Sequence, residues 1–215
     1  MIKAIIFDMD GVLIDSEPYY QDVLLHLLHS LEINATANDL IPLAGGTTKH
    51  HDQVINPLIQ GVISREDFNH YIDSYYLHHP VPYPKILFPH VKEILEWIKN
   101  HGYRIAIASS SKKYEIQNVL ELCNIENYFE IIMSGDMFQE SKPNPEIYIT
   151  CAEKLNLNPN ECIAIEDSEY GITAAKSANM TCIAKRDLRF QYNQNNADYL
   201  IDDLIEIQKI LEVIT

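Results

Sequence analysis

Positive charge is scarce in this chain: 16 Lys and Arg stand against 31 Asp and Glu, for a formal net charge of -15. Attachment to a polyanion rests on Lys and Arg that neutralise phosphates, so nucleic acid and anionic membranes are not expected as partners. Long apolar runs are missing too. No stretch of eighteen apolar residues occurs, about what a membrane-crossing helix would need. The N-terminus runs straight into a strand-like segment without the basic and apolar regions of a signal peptide, so a cytoplasmic protein is expected. No internal repeat is found, which argues against a solenoid. No Gly/Ser-rich or low-complexity tract is found either, and nearly half of the residues are apolar, which argues against disorder.

Cysteine is sparse, and Cys123, Cys151, Cys162 and Cys182 sit at spacings that match no metal or redox motif. Reduced, buried thiols are the simplest account. Histidine is more plentiful, with seven of nine between residues 26 and 79, namely His26, His29, His50, His51, His70, His78 and His79. None has the ligand spacing of a familiar zinc site, and solvated helix-surface histidines are expected. At 215 residues the chain can form one substantial core with a small second lobe, or one large α/β domain.

The feature around which the chain is organised is its opening, MIKAIIFDMDGVLID. Ala4 to Phe7 form a short apolar run that reads as a buried strand, and it stops at two carboxylates, Asp8 and Asp10, followed by Gly11. Extended side chains alternate, so residues two apart face one way and the two carboxylates should converge. Such a pair repels unless a cation binds it or one member keeps a proton, which suits a metal site or a nucleophile with an acid/base partner. A surface turn at Gly11 is the plain alternative.

From Asp15 to about residue 80 the pattern turns helical. Val23, Leu24, Leu27, Leu28 and Leu31 recur at helical spacing and predict a helix starting near Glu17, with Pro18 in its first turn. A second helix is expected over 51–60, and the box-like Ser64-Arg65-Glu66-Asp67 should start a third running to about Leu77. The proline-dense Pro80 to Pro84 cannot continue a helix and reads as a return linker. Helical and strand-like periods then alternate. Strands are expected over 104–108, 131–133, 162–165, 181–184 and 199–201, and helices around 91–98, 116–123, 145–155, 168–178 and 204–214. The alternation implies α/β architecture, a doubly wound, Rossmann-like parallel sheet with a small all-helical cap inserted after the first strand. The core would comprise 1–15 and 83–215, and the cap 16–82. Ligands of such a sheet belong at the carboxyl ends of its strands.

Those ends carry polar residues. The first strand ends at Asp8 and Asp10, the second at Ser109, the loop after the third holds Lys142, and the fourth ends at Glu166 and Asp167. Carboxylates, a hydroxyl and a lysine on one sheet edge suit a phosphoryl group with Mg²⁺: the carboxylates hold the hard cation, while Ser109 and Lys142 take phosphate oxygens. Pro143 pushes Lys142 toward an extended conformation, and Asn144 and Pro145 read as the cap and first residue of the next helix. Ser168 reads as a helix cap.

Four motifs thus stand in order, each at a strand end: Asp8-Met9-Asp10-Gly11-Val12, Ala108-Ser109-Ser110-Ser111, Ser141-Lys142-Pro143, and Glu166-Asp167-Ser168 with Gly171. In these the chain resembles the haloacid dehalogenase-like phosphohydrolases, and among them the β-phosphoglucomutase-like group with a helical cap; the resemblance spans the whole chain. It implies that Asp8 is the nucleophile that becomes an aspartyl-phosphate and Asp10 the general acid/base. It further implies Mg²⁺ held by Asp8, the main-chain carbonyl of Asp10, and Asp167, with Glu166 in direct or water-mediated support. A small phosphorylated substrate is then the expected partner, and a monomer the expected state.

Gly45-Gly46-Thr47-Thr48-Lys49 looks like a phosphate-binding loop, but lacks the Gly four residues earlier and follows no strand. As part of the cap, Gly46, Thr47 and Lys49 are candidates for substrate contact. The mutases of the group carry an Arg after this glycine turn and a His after the first motif, where this chain has Thr48-Lys49 and Tyr20. A lysine is no bidentate arginine. The expectation is therefore a Mg²⁺-dependent phosphomonoester hydrolase acting on a sugar phosphate or similar metabolite. The alternatives are a phosphosugar mutase and, from another class, a non-catalytic phosphate-sensing or protein-binding module.

Overall fold

The computed structural model describes residues 1–44, 48–190 and 192–214. The chain divides into two compact units, 1–15 with 83–215, and 16–82.

The first unit opens with β1 (Ala4–Phe7), whose four residues are all fully buried. The second unit follows as α1 (Ser16–Ser30), α2 (Ala37–Leu40), α3 (Thr48–Ile59) and α4 (Arg65–His78). The chain re-enters the first unit at α5 (Tyr83–Ile86) and alternates from there: α6 (Val91–Asn100), β2 (Arg104–Ser109), α7 (Lys113–Leu122), β3 (Ile131–Ser134), α8 (Glu146–Lys154), β4 (Cys162–Glu166), α9 (Glu169–Ser177), β5 (Thr181–Lys185), β6 (Tyr199–Ile201) and α10 (Ile207–Ile214). The six strands form one sheet in the order β3-β2-β1-β4-β5-β6, every neighbour parallel. Because β1 neighbours both β2 and β4, the strand order reverses there, and a doubly wound sheet opens its ligand crevice at that point.

Alternation along the strands sorts the core into layers. Ala4 and Ile6 of β1 and Ala106 and Ala108 of β2 face one layer with Tyr148, Cys151 and Ala152 of α8 and Ile172, Ala174 and Ala175 of α9. The small alanines leave room for these helices to approach the sheet closely. On β1, Phe7 alternates with Ile6 and packs edge-on against Phe129, ring centroids 6.5 Å apart. All four cysteines are buried free thiols. Burial pushes Cys162 up to about 11 and Cys151 up to about 12, which keeps them protonated and unreactive.

Several boundaries depart from the sequence pattern, each for a local reason. α3 begins at Thr48, three residues before the expected start at His51. The Pro80–Pro84 stretch is not linker throughout, since α5 starts at Tyr83 with Pro84 in its first turn, where a missing N–H costs nothing. α8 begins at Glu146, one residue later than expected, while the Asn144 side chain still accepts from the Glu146 N–H at 2.9 Å. The last expected helix is a 3-10 turn over Leu204–Glu206 leading into α10. α2 and the turn Ile41–Leu43 had no expectation, being too short to show a period.

In the helical unit Leu28, Leu40, Leu43, Ile55, Ile59 and Phe68 close a small core of their own. Ser64 caps α4 by accepting from the Asp67 N–H at 3.1 Å. Histidine rings here are spent on main-chain carbonyls: His29 on Ala35, His50 on Pro42, and His51 on Leu43 at 2.9 Å. Half burial holds His51 below the ordinary 6.5 of imidazole, with the neighbouring His50 and Arg65 adding to the drop and the Leu43 carbonyl opposing it. A depressed histidine favours the neutral folded form, so the unfolded chain takes up the proton first. Stability is then full above about pH 6.5 and declines as pH falls below it. Urea unfolding at pH 7.5 and 5.5 should show a smaller acid loss for His51→Gln than for the native chain; equal losses would discount His51.

Candidate active site

At the carboxyl edge of the sheet, β1 is carried one residue further, since the Asp8 N–H still donates to the Ile165 carbonyl at 2.9 Å. The chain then folds into a buried hook in which the Met9 carbonyl accepts from the N–H groups of Val12, Leu13 and Ile14. Gly11 permits this at φ +74°, and its open face is filled: a Cβ there would lie 2.1 Å from Asp167 Oδ2. The hook is fixed from behind by two antiparallel contacts, Phe88 N–H to Leu13 carbonyl at 2.9 Å and Asp15 N–H to Ile86 carbonyl at 2.7 Å.

Lys142 is the centre of the site. Its ammonium is buried and spends its three protons on Asp8 Oδ1 at 2.7 Å, Glu166 Oε1 at 2.6 Å and the Ala108 carbonyl at 2.9 Å. The Lys142–Pro143 peptide bond that delivers it is cis. Burial works against its charge, but the two carboxylates outweigh burial and hold its pKa above the ordinary lysine range. Asp8 experiences the reverse balance. Burial pushes it up to about 7, Lys142 pulls it down, and Glu166 and Asp10 add to the rise.

Asp8, Glu166 and Asp167, all buried, bring one oxygen each within 4.8 Å of one another. Glu166 is fully enclosed: Oε1 also accepts from the Tyr148 hydroxyl at 2.5 Å, and Oε2 from the Asp167 N–H at 3.3 Å. The Asp10 carboxylate stands outside this trio and accepts from Ser111 Oγ at 2.7 Å. Asp8 and Asp10 leave one strand end with their side chains on different partners, Lys142 and Ser111, while the Asp10 charge still acts on Asp8. Ser109 is buried, and its hydroxyl oxygen accepts from the Ser111 N–H at 3.1 Å, closing the loop that aims Ser111 at Asp10. Ser168 caps α9, accepting from the Gly171 N–H at 3.1 Å. Of the residues singled out in the helical unit, Gly46 and Thr47 lie outside the described residues, and Lys49 is described only as part of α3.

Tyr148, Ser111 and Lys185 belong to this neighbourhood without having been expected there. Lys185, the last residue of β5, is buried, donates to the Gly11 carbonyl at 3.3 Å and lies 3.4 Å over the centre of the Phe88 ring. Its signal was available, for it ends an apolar strand with a charge just as the others do. Gly171 is equally constrained, since a Cβ there would sit 2.0 Å from Glu166 Cδ. Gly171→Ala is therefore expected to displace Glu166 from Lys142 and Tyr148 and to lose about 1–3 kcal/mol, the usual penalty of overpacking. Urea midpoints matching the native chain would mean that Glu166 tolerates the shift.

The donor set fits a hard divalent cation. Three buried carboxylates meet there, two of them on Lys142, and burial together with the Glu166 and Asp10 charges raises Asp8 against the pull of Lys142. Asp8 and Asp167 keep slight exposure, 7% and 5%, whereas Glu166 at 0% is taken up by protein donors.

A doubly wound sheet with carboxylates and a buried lysine at its switch point defines a class of hydrolases, and the family model for haloacid dehalogenase-like hydrolase matches residues 5–185. The chain belongs to this family. It is 31% identical to hexitol phosphatase B of Escherichia coli strain K12 over 222 aligned positions, covering 96% of this chain and 94% of that protein. It is also 31% identical over 190 positions to the chloroplastic protein Suppressor of Quenching 1 of Arabidopsis thaliana, of which it spans only 18%. A crystal structure of β-phosphoglucomutase from Clostridium difficile superposes with a TM-score of 0.77 at 27% identity, covering 99% of this chain and 96% of that one. Among the described residues no helix is long and apolar enough to cross a membrane.

Proposed function

We propose that this chain is a Mg²⁺-dependent phosphomonoester hydrolase that acts on a small phosphorylated metabolite of the sugar-phosphate kind through an aspartyl-phosphate on Asp8. The observation that carries the proposal is the buried contact of Asp8 with Lys142 beside Glu166 and Asp167 at the sheet's switch point. A non-catalytic binding module has no use for a carboxylate held in that way.

In this reading Lys142 fixes one oxygen of Asp8, and the other attacks phosphorus as the bond to the leaving oxygen breaks. Asp10, steadied by Ser111, gives a proton to that leaving oxygen. It then takes one from a water that attacks the phosphorus of phospho-Asp8, releasing inorganic phosphate and restoring Asp8. Ser109 donates to a phosphate oxygen, while Lys142, its protons already placed, acts as a fixed positive charge. Mg²⁺ on Asp8, Asp167 and the Asp10 carbonyl, with Glu166 in support, would offset the repulsion between carboxylate and phosphate. Residues 16–82 serve as a cap that selects substrate, with Gly46, Thr47 and Lys49 its candidate contacts.

A phosphosugar mutase is the second reading, favoured by the likeness to β-phosphoglucomutase. A mutase must grip a distal phosphate and exclude water together, and this chain offers Thr48-Lys49 and Tyr20 where the mutase pattern has Arg and His. The test is a panel of sugar phosphates, nucleotides and glycolytic intermediates with Mg²⁺, with free phosphate and isomerised product measured separately. Free phosphate should dominate; isomer without phosphate would install the mutase reading. Asp10→Asn should slow dephosphorylation by about 10²–10⁴-fold. Phosphoenzyme should then build up in quenched samples read by mass spectrometry, and its absence at every time point would count against the assigned roles.

A further inference from the structure

β4 and β5 remain in register as far as Glu166 opposite Ala184. The next residues along the two strands are Asp167 and Lys185, and there the pairing passes to a side chain. Gln194, half-buried in the segment between β5 and β6, donates from Nε2 to the Asp167 carbonyl at 2.5 Å and to the Lys185 carbonyl at 2.9 Å. Both partners are carbonyl oxygens, so the amide nitrogen must face them. Lys185 carries the restraint onward, its ammonium on the Gly11 carbonyl and over the face of the Phe88 ring. Gly11 in turn meets the Asp167 carboxylate face to face. Asp167 is thus held at its main chain by Gln194 and backed at its carboxylate by a turn that Lys185 fixes.

We infer that Gln194 is a positioning residue for the divalent-cation site, setting its affinity by fixing Asp167 while Lys185 fixes the opposing Gly11 turn. The inference rests on the proposed role of Asp167 as a cation ligand. Groups that orient a ligand from behind change metal affinity by about 10–100-fold when removed. A residue that only closed its loop would change the stability of the metal-free protein instead.

The probe is Mn²⁺ binding to the full chain, followed by the loss of the free-ion paramagnetic resonance signal, with competition by Mg²⁺ and a thermal midpoint in chelator. Gln194→Met keeps the side chain's length and removes both donors. Its Mn²⁺ dissociation constant should rise about 10–100-fold, while Asn193→Ala, a loop neighbour whose side chain bonds only Glu169 and the Asn195 N–H, should bind as the native chain does. Gln194→Ala, unable to clash, stands in if the methionine variant does not fold. An unchanged Mn²⁺ affinity in the Gln194 variants, with or without a lower metal-free midpoint, would overturn the inference. Failure of the native chain itself to bind Mn²⁺ or Mg²⁺ would overturn the cation-site reading, and the inference with it.

Discussion

Asp8→Asn is expected to fold as the native chain does and to lose turnover of an aryl phosphate by a factor on the order of 10⁴ or more, as removal of a nucleophile does elsewhere. The change separates chemistry from architecture unusually well. An amide carbonyl at Oδ1 still accepts from Lys142, and Lys142 keeps its bonds to Glu166 and the Ala108 carbonyl. The volume is nearly identical, so Phe7 and Met9 on either side, both buried, have no reason to shift. What disappears is the charge and the lone pair that would attack phosphorus. Circular dichroism and a urea midpoint report the fold, and phosphate release reports the loss. A variant with native turnover would mean that another group attacks, and the assignment of Asp8 would fall.

The sheet was readable in the sequence because its strands are short apolar runs between amphipathic helices, and the positions of Asp8, Ser109, Lys142, Glu166 and Asp167 followed from one rule: a polar residue ending a buried strand, or in the loop just after one, lies at the sheet's carboxyl edge. The same rule would have found Lys185 at the end of β5. Tyr148 was harder to find. It lies on the buried face of α8 with Ile147, Cys151 and Ala152, where its ring reads as ordinary core, and only the need of a buried hydroxyl for a partner points to Glu166. Gln194 was beyond reach, since a polar residue in a polar loop carries no mark of the two carbonyls it joins. Ser111 stood within a quoted motif, but only the turn closed by Ser109 shows that its hydroxyl reaches Asp10.

Lys142→Met should be the most destabilising single change in the site. Among the described residues the lysine is the one cation that the Asp8 and Glu166 carboxylates share, and both are buried. Methionine fills a similar volume but offers no charge, so Asp8 and Glu166 would be left crowded beside Asp167 without the ammonium they share. Breaking a buried ion pair by removing one partner loses about 3–5 kcal/mol, mostly through the charge left behind. The Ala108 carbonyl and Glu166 Oε1 each lose a donor as well, although Tyr148 continues to serve Glu166. Turnover should fall by about 10²–10³-fold or more, since a positioned charge is missing when phosphate arrives. Metal separates the two losses. A divalent ion that binds the native state and not the unfolded one adds stability in proportion to the logarithm of its occupancy, and here it also supplies the missing positive charge. Urea unfolding in chelator should therefore show the full deficit relative to the native chain, and saturating Mg²⁺ should narrow it while turnover stays low. A deficit of the same size in both conditions would mean that the cation does not bind where the three carboxylates meet.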